Sequence, residues 1–269
     1  MLKSAVTIML PILFASVGGL FPVLAGTLNI ALEGLLLFGA FSSLTVFYFT
    51  GSVPAAILCA IIAAMTLSLL HIYAAFHLRA NLFISGLAVN LFSSGLCILL
   101  SDKIFNTKGV IKADNVSGLL NWYIAIGIIL LVIAWLAIYK TPFGYRLRAC
   151  DKNPGSLISL KIKPQKYQAA AILISAFFCG IGGSFLALNL GAYVPNMSAG
   201  RGWIALAVIF LGAKNPLGII AAAFIFALAE SFSNYAQGFW NIPADFILAI
   251  PYVCTLIAII IVAMARKQG

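Results

Sequence analysis

One acidic residue stands inside an otherwise apolar stretch of this sequence, and it is the side chain best placed to do chemistry. Glu33 follows Asn29 by four residues at the start of the run 29–50, so a helix there would carry both side chains on one face. If the run spans a bilayer, the buried carboxylate costs at least about 2.5 kcal/mol and normally faces a cavity or a partner. Two interpretations follow. Glu33 lines a polar pathway, or it sits in the first turns of a helix, stabilised by the N-terminal dipole and neighbouring backbone groups.

A second set of polar side chains lies at the start of the apolar run 82–100. Asn81 and Ser85 are four residues apart and share a helix face, whereas Asn90 is displaced around the helix. Together with Asn29 and Glu33, these three residues are the candidates for lining a translocation pathway. Other polar groups, Asn189 and the cluster 230–234, lie toward the ends of apolar runs and are typical of wet helix ends.

No arrangement of side chains in the sequence predicts catalysis or metal binding. The phosphate-binding pattern GxxxxGK[ST] does not occur, and GIGGS at 180–184 lies inside an apolar run, where glycines permit close helix packing. His71 and His77 are six residues apart, a poor helical spacing for a shared metal, and are interpreted as interfacial side chains. The five cysteines form no CxxC pair, so neither a disulfide framework nor a metal site is expected.

The composition explains why so few polar groups stand out. Hydrophobic residues make up 63% of the 269 residues and charged residues only 8%, whereas about 25% of an average soluble chain is charged. This balance excludes a water-soluble globular domain, a disordered chain and a secreted disulfide scaffold. Because a span takes about 20 apolar residues, the sequence has room for about eight or nine spans.

Nine apolar runs divide the chain into candidate membrane elements. They cover residues 4–25, 29–50, 54–76, 82–100, 119–139, 167–190, 203–213, 217–236 and 246–265. The seventh run is too short to span a bilayer alone and predicts a half-helix or a broken helix. Segments 30–40 and 204–213 both begin with Ile-Ala-Leu and end with Gly-Ala. This similarity fits either chance or a transporter built of two repeats.

The formal net charge of +10 is concentrated in one loop rather than spread over a surface for nucleic acid. Seven of the 16 basic residues fall within residues 140–166: Lys140, Arg146, Arg148, Lys152, Lys161, Lys163 and Lys166. In a membrane protein such a cluster marks a cytoplasmic loop. Alternation then places loop 77–81 inside and loop 101–118 outside. The side of the N-terminus depends on whether the seventh run crosses the membrane or is re-entrant.

The same loop contains a candidate docking helix. Asn153 is a good N-cap, Pro154 suits the first helical position, and Pro164 is expected to stop the helix. The apolar side of this helix would consist of Leu157, Ile158 and Leu160. By physical chemistry alone, a membrane-surface helix bound to anionic lipid and a helix that docks a cytoplasmic partner are equally compatible with this pattern.

Four segments of the sequence carry a family resemblance. They are LNIALEGLLLFGAF (28–41), ANLFISGLAVNL (80–91), TPFGYRLRACDKNPGSLISLKI (141–162) and GRGWIALAVIFLGAKNPLG (200–218). In this order they resemble the branched-chain amino acid/simple sugar/nucleoside permease family of ABC importers, over roughly residues 10–260. The NIALEG form and the short length are most similar to nucleoside-type permeases, specifically to the shorter of two unlike permease subunits. The chain has Asp151-Lys152-Asn153-Pro154 where the family commonly has Gly-Glu-Asn-Pro, so its partner-facing chemistry can differ.

The resemblance implies an all-α, polytopic integral membrane protein with about eight to ten transmembrane or half-membrane helices. It further implies a single permease domain at residues 1–269, built of two repeats as in type II ABC importers. The expected location is the bacterial inner membrane. The loop at about 140–166 would couple the spans to an ATPase. The residues assigned to this coupling are Gly144, Arg146, Arg148, Asn153, Pro154, Leu157, Ile158 and Leu160.

The implied partners are a second, unlike permease subunit, a cytoplasmic ATPase with two nucleotide-binding halves and a solute-binding lipoprotein. Membrane lipid is expected around the spans, and no nucleic acid is expected as a partner. Because the ATPase would use ATP and Mg²⁺, this chain is expected to need no cofactor and not to be an enzyme. The expected solute is a nucleoside, with a simple sugar or a flavin-like vitamin as the alternatives. A secondary transporter or channel is the alternative from a different class. It would need coupling groups, which the six acidic residues hardly supply.

Overall fold

The computed structural model describes residues 2–113 and 119–236, and most of them are helical. The helices are α1 (Leu2–Leu24), α2 (Leu32–Thr50), α3 (Val53–Ile72, continued by a π-helical turn at Tyr73–His77), α4 (Leu82–Phe105), α5 (Leu119–Lys140), α6 (Pro142–Lys152), α7 (Pro154–Ser159), α8 (Pro164–Leu190), α9 (Arg201–Leu211) and α10 (Pro216–Ala236). Two short strands, β1 (Ile111–Lys112) and β2 (Ala192–Tyr193), complete the described part.

The described helices confirm an all-α polytopic membrane protein. Seven of them are long and apolar enough to cross a membrane: α1, α2, α3 with its π-helical turn, α4, α5, α8 and α10. The eighth apolar helix, α9, has only 11 residues, as the short seventh run predicted. The ninth run, 246–265, lies outside the described residues.

Helices α1, α2 and α8 form the centre of the molecule, and glycines let them approach closely. A Cβ on Gly183 would overlap the backbone carbonyl of Leu36, and one on Gly39 would lie 3.1 Å from the Cα of Gly180. Any larger residue at these positions would push α2 and α8 apart. The GIGGS segment therefore serves helix packing, as predicted from its apolar surroundings.

The direction of the helices follows from contacts at their ends. Strands β1 and β2 pair antiparallel, Ile111 with Tyr193, so the loop after α4 and the end of α8 lie on one side of the molecule. Loop 140–166 joins the opposite ends of α5 and α8, and we call its side the inner side. Helix α1 runs antiparallel to α8, because a Cβ on Gly182 would meet Phe14 while one on Gly18 would meet Ser175. The N-terminus therefore lies on the outer side, a point that the sequence left open.

Helices α2 and α9 both begin in the interior of the bundle rather than at its edge. The link from α1 to α2 runs along α8, where the Gln168 side chain donates to the Ala25 carbonyl and the Asn29 side chain donates to Ser175 Oγ. Ser175 lies about 16 Å along α8 from the first residue of that helix. Helix α9 begins beside this point and runs toward the inner side. The two helix starts therefore meet deep in the membrane.

Loop 140–166 contains two helices where the sequence predicted one. Helix α6 begins after Thr141, whose Oγ1 accepts from the Gly144 N–H at 3.2 Å. Helix α7 has only six residues and ends at Ser159. The prediction that Pro164 stops the loop helix is wrong, because Pro164 occupies the first turn of α8. A proline is favourable there, since a first-turn residue needs no N–H donor.

Candidate functional site

The carboxylate of Glu33 binds the N-terminal end of α9, although 167 residues or more separate the two in sequence. Its Oε1 accepts from the Gly200 N–H at 2.8 Å, and its Oε2 accepts from the Gly202 N–H at 2.7 Å. Helix starts leave backbone N–H groups without partners and carry a partial positive charge. Glu33 therefore lies in the first turn of its own helix, as one interpretation held, but it caps a different helix.

Two glycines make this contact possible. Gly200 has a φ of +81°, which a residue with a side chain rarely adopts. A Cβ on Gly202 would overlap the backbone nitrogen and Cα of Glu33. The Gly-Arg-Gly sequence at 200–202 thus lets the backbone of α9 approach within hydrogen-bonding distance of the acid. This short pattern was the available sequence signal for the contact.

Two other predicted pathway residues hold the start of α2. Asn90 donates to the Ile30 carbonyl at 3.0 Å and accepts from the Gly34 N–H at 2.8 Å. Asn29 lies in the non-helical link before α2, so the argument that it shares a helix face with Glu33 is wrong. Its amide oxygen instead accepts from the Ala31 N–H at 3.1 Å. Asn29, Glu33 and Asn90 therefore converge where α2 begins.

The remaining two predicted pathway residues lie elsewhere. Asn81 is exposed and caps α4 by accepting from the N–H groups of Phe83 and Ile84. Ser85 is buried against α3, with its Oγ 2.6 Å from His71 Nδ1. His71 is completely buried, so its interpretation as an interfacial side chain is wrong. The structure does not bring Asn81 and Ser85 to Glu33, and their role in a pathway stays a prediction.

An ion pair that was not predicted from the sequence lies beside the start of α9. Arg201 Nη2 lies 3.0 Å from Glu230 Oε1 of α10, and both side chains are partly buried. Nearby, Ser94 Oγ donates to the Asn196 side chain at 2.8 Å. Glu230 was interpreted as part of a wet helix end, but it pairs with a specific cation. A basic residue just before the seventh apolar run and an acidic residue within the eighth were the signal that could have indicated this pair.

These groups form one polar cluster among apolar helices, and part of it is accessible. We define it by Glu33, Asn90, Ser94, Asn196, Arg201 and Glu230. Its members come from α2, α4, α9, α10 and the segment before α9, so the cluster joins the broken helices to their neighbours. Ionisable groups at membrane depth are candidates for a functional site by default. The arrangement suits hydrogen bonding to a small polar solute and positioning of the half-helix α9.

The predicted coupling residues of α6 brace the inner end of the bundle. A Cβ on Gly144 would overlap the carbonyl oxygens of Ala137 and Ile138, so the glycine lets α6 pack against the end of α5. Arg146 Nη1 donates to the Tyr167 hydroxyl of α8 at 3.0 Å. The guanidinium of Arg148 lies 5.2 Å and 5.0 Å from the ring centroids of Tyr139 and Tyr145. Helix α6 is thus attached to both α5 and α8.

Helix α7 presents only part of its predicted apolar side. Asn153 caps it by accepting from the Ser156 N–H at 3.3 Å, and Pro154 is its first residue. Leu157 is only 3% exposed and packs into the chain's own core. Ile158 and Leu160 are 63% and 70% exposed. The prediction that Leu157, Ile158 and Leu160 all face a partner is therefore wrong for Leu157. It stays a prediction for Ile158 and Leu160.

The surroundings of α6 shift the pKa of one thiol, that of Cys150. Burial raises the pKa of the Cys150 thiol on α6 above its usual value. Its Sγ donates to the Arg146 carbonyl. Since a raised thiol pKa keeps the group protonated, Cys150 behaves as a small core residue rather than as a nucleophile.

Comparison with known proteins gives consistent matches over nearly the whole chain. The family described as "Branched-chain amino acid transport system / permease component" matches residues 1–265. The nucleoside ABC transporter permease protein NupC of Lactococcus lactis subsp. cremoris is 32% identical over 93% of this chain and 87% of its own length. The guanosine ABC transporter permease protein NupQ of Bacillus subtilis is 31% identical over the same shares of the two chains.

Two further comparisons bear on the assembly and on the fold. A second Lactococcus nucleoside permease, NupB, is 27% identical over 42% of this chain and 31% of its own length. Among solved structures, PsaBC from Streptococcus pneumoniae in complex with Fab matches with a TM-score of 0.60. That match covers 95% of this chain and 89% of the other, at 13% sequence identity, and shows a common fold.

Proposed function

The chain belongs to the family of branched-chain amino acid transport system permease components, and we propose that it carries nucleosides inward as one membrane subunit of an ABC importer. It is a multi-pass permease of the bacterial inner membrane. The observation that carries the proposed substrate is the near full-length similarity to NupC and NupQ, whose names specify nucleosides and guanosine. A simple sugar and a flavin-like vitamin are the competing substrates.

The position of the polar cluster supports a solute pathway. This pathway would run along the face of the chain on which the cluster lies. Glu33, Asn196 and Arg201 are at least partly accessible, although they lie among apolar helices. Leaving such groups against lipid is costly, so a water-filled pathway or a second protein must cover them. A second permease subunit packed on this face would enclose a pathway between the two chains.

We infer an assembly of two unlike permeases, a tandem ATPase and a solute-binding lipoprotein. The occurrence of both NupB and NupC as nucleoside permeases of one Lactococcus strain supports the unlike pair. Hydrolysis of ATP with Mg²⁺ is assigned to the ATPase, and this chain would supply its docking surface through Ile158 and Leu160. Because α6 is braced by Arg146 and Arg148, a force applied at α7 would reach α5 and α8 as a rigid displacement.

Reconstituted transport tests this proposal. The complete complex in proteoliposomes is expected to take up radiolabelled guanosine only when ATP and the binding protein are present. Unlabelled nucleosides are expected to compete, whereas ribose, glucose and riboflavin are not. Competition by a sugar or riboflavin alone would assign the substrate differently. Uptake driven by an ion gradient without ATP would favour a secondary transporter and contradict the proposal.

A further inference from the structure

The open face of α9 carries two aromatic side chains that the polar cluster does not include. Trp203 and Phe210 are 42% and 44% exposed. They are seven residues apart, so they lie on the same helix face about 10 Å from each other. The small residue Ala207 stands between them on that face. On the other side of the helix, Ala205, Val208 and Ile209 are fully buried.

Charged groups bound this face at both ends. At the N-terminal end the Glu33 carboxylate binds the first turn of α9. Just past the C-terminal end lies a cavity of about 230 Å³, lined by Phe210 and Lys214 together with Asp151 of α6. The Lys214 ammonium is 6.0 Å from the centroid of the Phe210 ring. Charged groups at both ends of this face favour a polar, water-accessible space along it over a lipid-covered surface.

We propose that Trp203 and Phe210 stack on the nucleobase of the transported nucleoside as it moves along α9 toward the inner side. This inference rests on the proposed function and adds the residues that recognise the base. Every nucleobase presents a flat π-face, and aromatic side chains bind such faces with little dependence on the base. Two rings at the two ends of one half-helix would give successive binding positions from the polar cluster to the Asp151–Lys214 cavity.

Substitution in the full complex tests the stacking. Trp203→Ala and Phe210→Ala are each expected to raise the KM for guanosine uptake on the order of ten-fold, the loss typical of one removed base–aromatic stack. Trp203→Tyr retains a flat ring and is expected to keep most of the affinity. Trp122→Ala serves as the control, because Trp122 is 73% exposed on α5 and is expected to leave uptake unchanged. Equal KM values for all four variants would overturn the inference.

Cysteine labelling separates the nucleobase from other occupants of the face. In a complex whose native cysteines are replaced, a water-soluble thiosulfonate is expected to label Trp203→Cys, and guanosine is expected to slow that labelling. Ile129→Cys is the control and is expected to stay unlabelled, because Ile129 is exposed at the centre of α5, away from both helix ends. Absence of labelling at position 203, or labelling without protection by guanosine, would contradict the inference. So would loss of the second permease from purified Trp203→Ala, because the face would then be a subunit interface.

The outcome for this inference can be distinguished from the outcome for the proposed function. If the wild-type complex transports no nucleoside, both are wrong. If it transports nucleosides but the alanine variants behave as wild type, only the stacking assignment is wrong.

Discussion

At the scale of single residues, the most informative contact is the one between Glu33 and the N-terminal end of α9. The two hydrogen bonds join the start of α2 to the start of a half-helix that is distant in sequence. The carboxylate thus satisfies backbone donors and complements the dipole of α9. Its removal should loosen α9 and remove a negative charge from the polar cluster.

Glu33→Gln tests this double role. Glutamine has one acceptor oxygen, so one of the two N–H groups loses its partner, and the negative charge is removed. We expect a loss of about 1–3 kcal/mol of stability together with slower transport, measured by thermal unfolding of the purified complex and by uptake. Asp102→Asn, an acid at the outer end of α4, is the control and should change neither property. Lost transport with unchanged stability would show that Glu33 acts on the solute and not on the helix.

Gly202→Ala tests the close approach itself. The new methyl group would overlap the Glu33 backbone, and such overpacking typically costs about 1–3 kcal/mol. The melting temperature of the complex should therefore fall. Gly95→Ala is the matched control, because a Cβ at Gly95 meets nothing within 4 Å. Equal melting temperatures for the two variants would contradict the tight packing of α9 against α2.

At the scale of helices, loop 140–166 consists of two helices, α6 and α7, that pack against the bundle, rather than of one docking helix. Helix α6 is attached to α5 and α8, and α7 turns one apolar residue inward and leaves two outward. The segments 30–40 and 204–213 contain the beginning of α2 and most of α9, which meet at Glu33. Whether these segments represent two repeats stays a prediction.

The orientation of α7 predicts different effects for neighbouring residues. The double variant Ile158→Asp/Leu160→Asp should lose the ATPase in co-purification while its spans stay folded. The reason is that two charges would have to enter an apolar groove of the ATPase. Leu157→Asp should instead destabilise the permease itself, since the charge would be buried in its own core. Val110→Asp, an exposed apolar position in the outer loop, is the control and should retain the ATPase. Retention of the ATPase and of coupled hydrolysis by the double variant would favour a lipid-surface helix.

At the scale of the whole molecule, the chain has a buried centre of α1, α2 and α8 and an accessible polar cluster on one face. A bundle that leaves charged groups open within the membrane is an incomplete transport unit. This fits a permease that functions only in a pair with another permease. The structural match to PsaBC shows a common fold.

The need for a partner predicts a clear biochemical result. Purified alone, the chain should give no uptake of guanosine in liposomes, with or without an ion gradient. Co-expressed with its unlike permease, it should purify as a one-to-one pair, as native mass spectrometry would show. A stable homodimer that transports with the ATPase and binding protein would refute the unlike pair.

Much of the architecture could be read from the sequence because membrane insertion depends on local composition. A span is a run of about 20 apolar residues, and a cytoplasmic loop is a cluster of basic ones, so both are sums over neighbouring residues. The seven long helices and the short α9 were predictable for this reason. The N-cap at Asn153 was predictable because capping also depends on a few neighbouring residues. The family resemblance, carried by four short segments, added the permease class.

The candidate site depended on the tertiary structure, because its contacts join residues that are far apart in sequence. Local pattern identified Glu33 as unusual, but only the packing of α2 against α9 decided that it caps another helix. The same packing decided that Asn29 lies outside any helix and that Arg201 pairs with Glu230. Likewise, periodicity marked Leu157 and Ile158 as apolar, while the neighbouring helices determined which one is buried. Burial and pairing are properties of the surroundings of a residue, and a linear sequence does not contain them explicitly.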